Sequence, residues 1–92
     1  MLVTTPYFLI TVITKPEVAE HLIPNIKNFK MIYYIREDFK GGSPEDVSEK
    51  DIVKVEMLCD RASYFEIMDY IKKYYVKDYG AVCYLQEASI AL

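Results

Sequence analysis

Six of the fourteen acidic residues, Glu37, Asp38, Glu45, Asp46, Glu49 and Asp51, fall in one polar stretch, EDFKGGSPEDVSEKD, running from Glu37 to Asp51. Carboxylate oxygens are the ligands that hard divalent cations accept, so this stretch is where a metal would be sought. The alternating acids around a central glycine that make a calcium loop are absent, however, and a run of charges is usually a solvated loop; its acidic middle suits a partner-docking arm better than a phosphate pocket. Soft-metal and redox chemistry have less to work with. Cys59 and Cys83 lie far apart with no C-x-x-C pairing, which reads as two small buried strand residues. His21 is the single histidine and has no partner for a metal. Ser43, Ser48 and the thiols have no histidine near them in any motif, so no nucleophile and base can be paired. No catalytic residue is assigned, and the chain is not read as an enzyme.

Composition narrows the partners. The chain has 92 residues and a formal net charge of -3, which fits a single domain and argues against nucleic acid, whose phosphates are met by clustered Lys and Arg. Stacking on RNA would also need aromatics on the first and third strands; Tyr7 is available, but the third strand has none. No apolar run reaches the roughly 18 residues that span a bilayer, and the opening MLVTTP lacks a basic region and cleavage site. The expectation is a cytoplasmic protein with no membrane insertion. A domain this short buries only about 60 to 65% of its unfolded surface, which favours association with further copies.

The elements that must carry the acidic stretch are legible from periodicity. Tyr7 to Thr14 is a β-branched and aromatic run between Pro6 and Pro16 and reads as a strand apolar on both faces. Thr14 and Glu17 have capping-box spacing, and Val18, Ala19, Leu22, Ile23, Ile26 and Phe29 form an apolar helical stripe, with a kink or break expected at Pro24. His21 falls on the polar side of that helix. Met31 to Arg36 reads as the second strand and Ile52 to Cys59 as the third, with Val53, Val55, Met57 and Cys59 on one face. Ser63 and Glu66 repeat the capping box before a helix carrying Tyr64, Ile67, Met68, Ile71 and Tyr75, expected to end near Tyr75. After a break over residues 77–80, Ala81 to Glu87 is the fourth strand.

The order β-α-β-β-α-β with right-handed crossovers gives an α+β, ferredoxin-like fold, a four-stranded antiparallel sheet with both helices on one face. The first strand's second apolar face then has nothing to cover it within the chain. Part of the open face is expected to bury against another copy.

Three stretches resemble one known family. Thr14-Lys15-Pro16-Glu17, the long loop between the second and third strands, and KKYYVKDYGAVCYLQEASI from Lys72 to Ile90 are together similar to the PII-like signalling proteins. The likeness is greatest to the branch of the cyanobacterial bicarbonate-transporter regulator, through Asp78, Tyr79, Gly80, Ala81 and Tyr84. The resemblance implies a homotrimer that binds adenine nucleotides in clefts between subunits and signals through the loop over residues 37–51 to a partner such as a membrane transporter. Carried over residue by residue, it implies nucleotide contacts from Arg36, Lys40, Gly41 and Gly42 at the near rim of the loop, and from Asp78, Tyr79, Gly80 and Tyr84 around the turn before the fourth strand. Gly80 would permit a close backbone approach and Gly41-Gly42 would offer amides to a phosphate. The chain departs from typical PII proteins in having VKDYG where they carry a basic phosphate loop, and no Lys or Arg after Lys77. AMP, ADP or cyclic AMP is therefore expected over ATP, as an effector with no resident cofactor. The alternatives are a divalent-metal-binding trimer and a ligand-free protein-interaction trimer of the same fold.

Overall fold

A computed structural model of the chain describes residues 2–45 and 48–91. Strand β1 spans Leu2–Thr14, helix α1 Pro16–Ile26, β2 Tyr33–Gly41, β3 Lys50–Asp60, α2 Tyr64–Ile71, a π-helical turn Lys72–Val76, the short α3 Lys77–Tyr79, and β4 Val82–Ala91. The four strands form one antiparallel sheet in the order β2-β3-β1-β4, so the ferredoxin-like order of elements read from the sequence is the order found. No helix among the described residues is long and apolar enough to cross a membrane.

Register explains which side chains meet. Phe8, Ile10, Val12 and Thr14 stand opposite Cys59, Met57, Val55 and Val53, and the apolar members of both rows are buried in one core. The helices close that core. Ala19, Leu22 and Ile26 of α1, three and four residues apart, and Ile67 and Ile71 of α2 are fully buried in it, the stripe that helical periodicity demands. β1 is longer than Tyr7 to Thr14, beginning at Leu2. Its pairing with β4 shifts between Val3 and Tyr7, at Pro6, which has no amide to give to a ladder.

Several local expectations are corrected. Lys15, not Thr14, is the N-cap of α1, and no side chain caps it; Pro16 at the first helical position has no amide needing a partner and its fixed φ starts the helix. Ser63 precedes α2 but makes no side-chain cap bond; Asp60 accepts the Ser63 amide instead, at 3.0 Å. Pro24 does not break α1, which runs through it and ends two residues later at Ile26. The second helix runs on past Tyr75, through the π turn and α3 to Tyr79. Both ends of the loop placed at Glu37 to Asp51 are strand: β2 continues to Gly41 and β3 begins at Lys50, with Glu37 opposite Lys54, Phe39 opposite Ile52 and Lys40 opposite Asp51. Only residues 42–49 connect them, and Asp46 and Val47 lie outside the described residues.

The same register lays out the open face of the sheet. Tyr33, Ile35 and Phe39 of β2 and Val82 and Tyr84 of β4 project there beside Tyr7, Leu9, Thr11 and Ile13, and all five are exposed. In the middle, Lys54 and Glu56 form an ion pair at 3.7 Å.

Candidate functional site

Three corners of the chain meet around one cleft of about 730 Å³: the β1-α1 junction at Thr14, Lys15 and Pro16; the mouth of the β2-β3 hairpin at Gly41, Gly42 and Lys50; and the turn into β4 at Tyr79 and Gly80. Each corner has a local cause. Proline starts α1 at once after the strand. Gly41 sits opposite Lys50, and a Cβ on it would meet the Ile52 Cδ1 at 3.0 Å, so a side chain there would require Ile52 to shift. Gly80 has φ +68°, the left-handed conformation in which helices commonly end. Its N–H donates to the Val76 carbonyl at 3.2 Å, and the Ala81 N–H to the Tyr75 carbonyl at 3.1 Å. A Cβ at Gly80 would meet nothing within 4 Å, so within one protomer its glycine is required by conformation, not by crowding.

The cleft is electrostatically balanced. Lys15 and Lys50 line it together with Glu17 and Asp51, two cations against two anions. Asp51 is moreover paired with Lys40, its cross-strand neighbour.

Of the residues that sequence reasoning placed at the site, Gly41, Gly42, Tyr79 and Gly80 come together here. The other four lie elsewhere in the protomer. Arg36 faces the helix side of β2, where it donates to Glu20 of α1 at 2.7 Å and to Asp38 at 3.3 Å. The hydrogen bond to Glu20 raises its pKa above the ordinary arginine value, and its role in the protomer is to tie α1 to the sheet. Lys40 lines a neighbouring hollow with Pro16, Phe39 and Ile52. Asp78 lines a hollow beside α1 together with Lys15, Glu17 and His21. Tyr84 is on the open sheet face, opposite Thr11.

Solved structures share this architecture. A protein of Thermus thermophilus classed with the PII-like signalling proteins is 17% identical with a TM-score of 0.78, over 98% of this chain and 91% of that one. CPII of Thiomonas intermedia, a nitrogen regulatory PII-like protein bound to ADP, AMP and bicarbonate, is 8% identical with a TM-score of 0.81, over 100% and 98%. The GlnK-ATP complex of B. subtilis is 11% identical with a TM-score of 0.71, over 94% and 84%. The fold is that of the PII-like proteins. At these identities the likeness is one of fold alone; no protein-family model matches the chain, and no curated protein matches it.

Among the described residues no three His, Cys, Asp or Glu side chains are grouped to hold an ion. Strand alternation separates Glu37 from Asp38, and Asp38 and Asp51 are taken up by Arg36 and Lys40. Asp46 lies outside the described residues.

Sequence reasoning missed Lys15 and Lys50 as cleft residues and missed the network around Tyr75. Lys50 carried a signal, since extending β2 to Gly41 makes it the partner across the hairpin mouth. His21 is exposed, yet its Nδ1 shares a 2.9 Å hydrogen bond with the Tyr75 hydroxyl. The Asn25 amide donates to that hydroxyl at 3.4 Å, and Tyr70 lies at 3.4 Å. Tyr75 is 1% exposed, and burial first of all pushes its phenol up to about 12. A buried hydroxyl needs such partners, so the histidine serves packing. Burial likewise raises the Cys59 and Cys83 thiols to about 11, the environment of inert cysteines.

Proposed function

We propose that the chain is a PII-like regulatory protein whose effector is an adenine nucleotide, bound in the cleft between the hairpin mouth and the Tyr79-Gly80 turn. The observation that carries this reading is that cleft. Residues far apart in sequence, Gly41-Gly42 and Tyr79-Gly80, converge with two lysines on a cavity within the roughly 300 to 1,000 Å³ of small-ligand sites. It opens at the rim of the connection over residues 42–49, so a ligand there would bias the arrangement of that connection, as a switch requires. The PII-like proteins CPII and GlnK are bound to ADP and AMP and to ATP respectively, which supports an adenine nucleotide at this fold.

The cancelled charge of the lining favours AMP, ADP or cyclic AMP over ATP, whose triphosphate would meet as many carboxylates as ammonium groups. The assembly in this reading is a homotrimer. The exposed aromatic open face is what a second copy would cover, and Arg36, Lys40, Asp78 and Tyr84 would reach a nucleotide only across such a boundary. The loop's partner is a protein such as a membrane transporter, the likeness to the bicarbonate-transporter regulator branch resting on Asp78 to Ala81 and Tyr84. Calorimetric titration with AMP, ADP, ATP and cyclic AMP tests the effector. Saturable heat with one of the first two or with the cyclic nucleotide, weaker with ATP, is expected. Absence of heat with all four at millimolar ligand would leave a ligand-free interaction protein.

A further inference from the structure

The π turn that interrupts the second helical segment builds a second cavity. The Lys77 N–H donates to the Lys72 carbonyl five residues back, and this widened turn brings Tyr70 and Tyr75, five apart, onto one face, with ring centroids 5.7 Å apart. In an uninterrupted α-helix residues five apart diverge. Single π turns inside α-helices are frequent at functional sites. Tyr74 stands 5.1 Å from Tyr70, Tyr79 lies 6.1 Å from Tyr75, and His21 of α1 lies 5.8 Å from Tyr75. These four tyrosines, His21 and Asp78 line a hollow of about 320 Å³.

We propose that this tyrosine box binds an organic cation of the alkylated-ammonium class. Aromatic faces attract a cation through their quadrupole, most strongly where several rings surround it. The rings are available for it: Tyr74 is 47% and Tyr79 56% exposed, which hydrophobic packing does not explain. Tyr75, by contrast, is locked by His21, Asn25 and Tyr70 and forms the rigid floor. Asp78 is the only acid or base besides His21 in the lining, and it makes no hydrogen bond or ion pair among the described residues. A carboxylate beside aromatic walls selects a cation over an anion or a neutral ring. Outside the box, the neighbouring Lys73 ammonium stands over the Tyr74 ring, 5.6 Å from its centroid. The box belongs to the helical layer, opposite the open sheet face. Within the protomer its lining shares only Tyr79 with the nucleotide cleft, while Asp78 is also the residue proposed above to reach a nucleotide across a subunit boundary, so the choline titration is made without nucleotide.

The test is a calorimetric titration of the full chain with choline and with its neutral isostere 3,3-dimethylbutan-1-ol. Choline is expected to saturate with a Kd of about 1 mM or below, and the isostere to bind at least about tenfold more weakly. Tyr74→Ala should weaken choline binding by about two- to thirtyfold, the range for losing one cation–π face, while Tyr74→Phe retains it; Tyr74 is exposed, so neither change disturbs the core. Asp78→Asn should weaken choline and leave the isostere unchanged. Equal affinity for the isostere, choline affinity undiminished in Tyr74→Ala or in Asp78→Asn, or no saturation by about 10 mM would each overturn the proposal.

Discussion

Replacing Gly80 by alanine is expected to destabilise the protein by about 1 kcal/mol, and the structure identifies where that loss arises. At φ +68° and ψ 23° an L-residue holds its Cβ too near the following carbonyl, which costs roughly 1 to 2 kcal/mol. Alanine recovers part of this by restricting the unfolded chain. No steric contribution adds to it, because a Cβ there meets nothing within 4 Å. The order of stability should therefore follow tolerance of the left-handed region alone, glycine over asparagine over alanine over valine. In a domain of this size a loss of 1 kcal/mol lowers Tm by about 4 to 8 °C. Urea unfolding at fixed protomer concentration, with an unchanged slope, reads the loss directly. An alanine variant within about 0.5 kcal/mol of the parent, the size of an ordinary surface change, would refute the conformational account, as would asparagine proving worse than alanine. The same variants separate conformation from ligand approach. If a nucleotide lies against this turn, Gly80→Asn should keep most of the stability and lose most of the nucleotide heat.

Tyr75→Phe should destabilise by about 1 to 3 kcal/mol in thermal unfolding, since it leaves partners of a buried hydroxyl unmatched. Cys59 and Cys83 should react slowly with iodoacetamide at pH 8 and rapidly once urea unfolds the chain, because their thiols are raised to about 11 by burial. The same shifts fix the sign of alkaline unfolding. The neutral thiols and phenol favour the folded state fully below their ordinary values of 9.0 and 10.0, and this contribution is lost as pH rises toward about 11 for the cysteines and about 12 for Tyr75. Denaturant midpoints should accordingly fall between pH 9 and 12; a flat profile would contradict the burial. Tyr84→Asp on the open face should shift sedimentation from trimer toward monomer without loss of far-ultraviolet circular dichroism, whereas a parent that sediments as a monomer at micromolar concentration would remove the trimer from the proposal.

The sheet and its helices were legible because each strand and helix carries an unbroken period: Val53, Val55, Met57 and Cys59 alternate into the core, and Ala19, Leu22 and Ile26 follow one helical stripe. The hairpin was less legible. Glu37 to Lys40 read as loop by composition, since acids and lysine are poor strand formers, yet cross-strand pairs such as Lys40 with Asp51 hold them in the ladder. Both capping boxes had the right spacing, but spacing alone does not make the bond, and proline in one case and Asp60 in the other took over the role. The helical continuation to Tyr79 hid behind Lys77-Asp78-Tyr79-Gly80, where only the glycine is the true stop. At the candidate cleft, glycines could be read because they mark corners. Lys15 could not, since which ends of the chain meet is decided by sheet order and not by local pattern, and Lys50 only once β2 is extended to Gly41. The π turn has no local signature at all, and the tyrosine spacing acquires meaning only once the helix is known to widen.

Lys54 and Glu56, set in the middle of the open sheet face, bear on how copies of this chain could recognise one another. In the single protomer they are a partly exposed pair at 3.7 Å, of little thermodynamic weight. Should another subunit cover this face, both charges leave water, and only an arrangement that keeps each matched escapes the desolvation penalty. The surrounding tyrosines and aliphatic side chains are indifferent to sliding by a residue or two; the pair is not. It would act as a registration mark on an otherwise permissive greasy surface, giving up some affinity in exchange for a single way of fitting together.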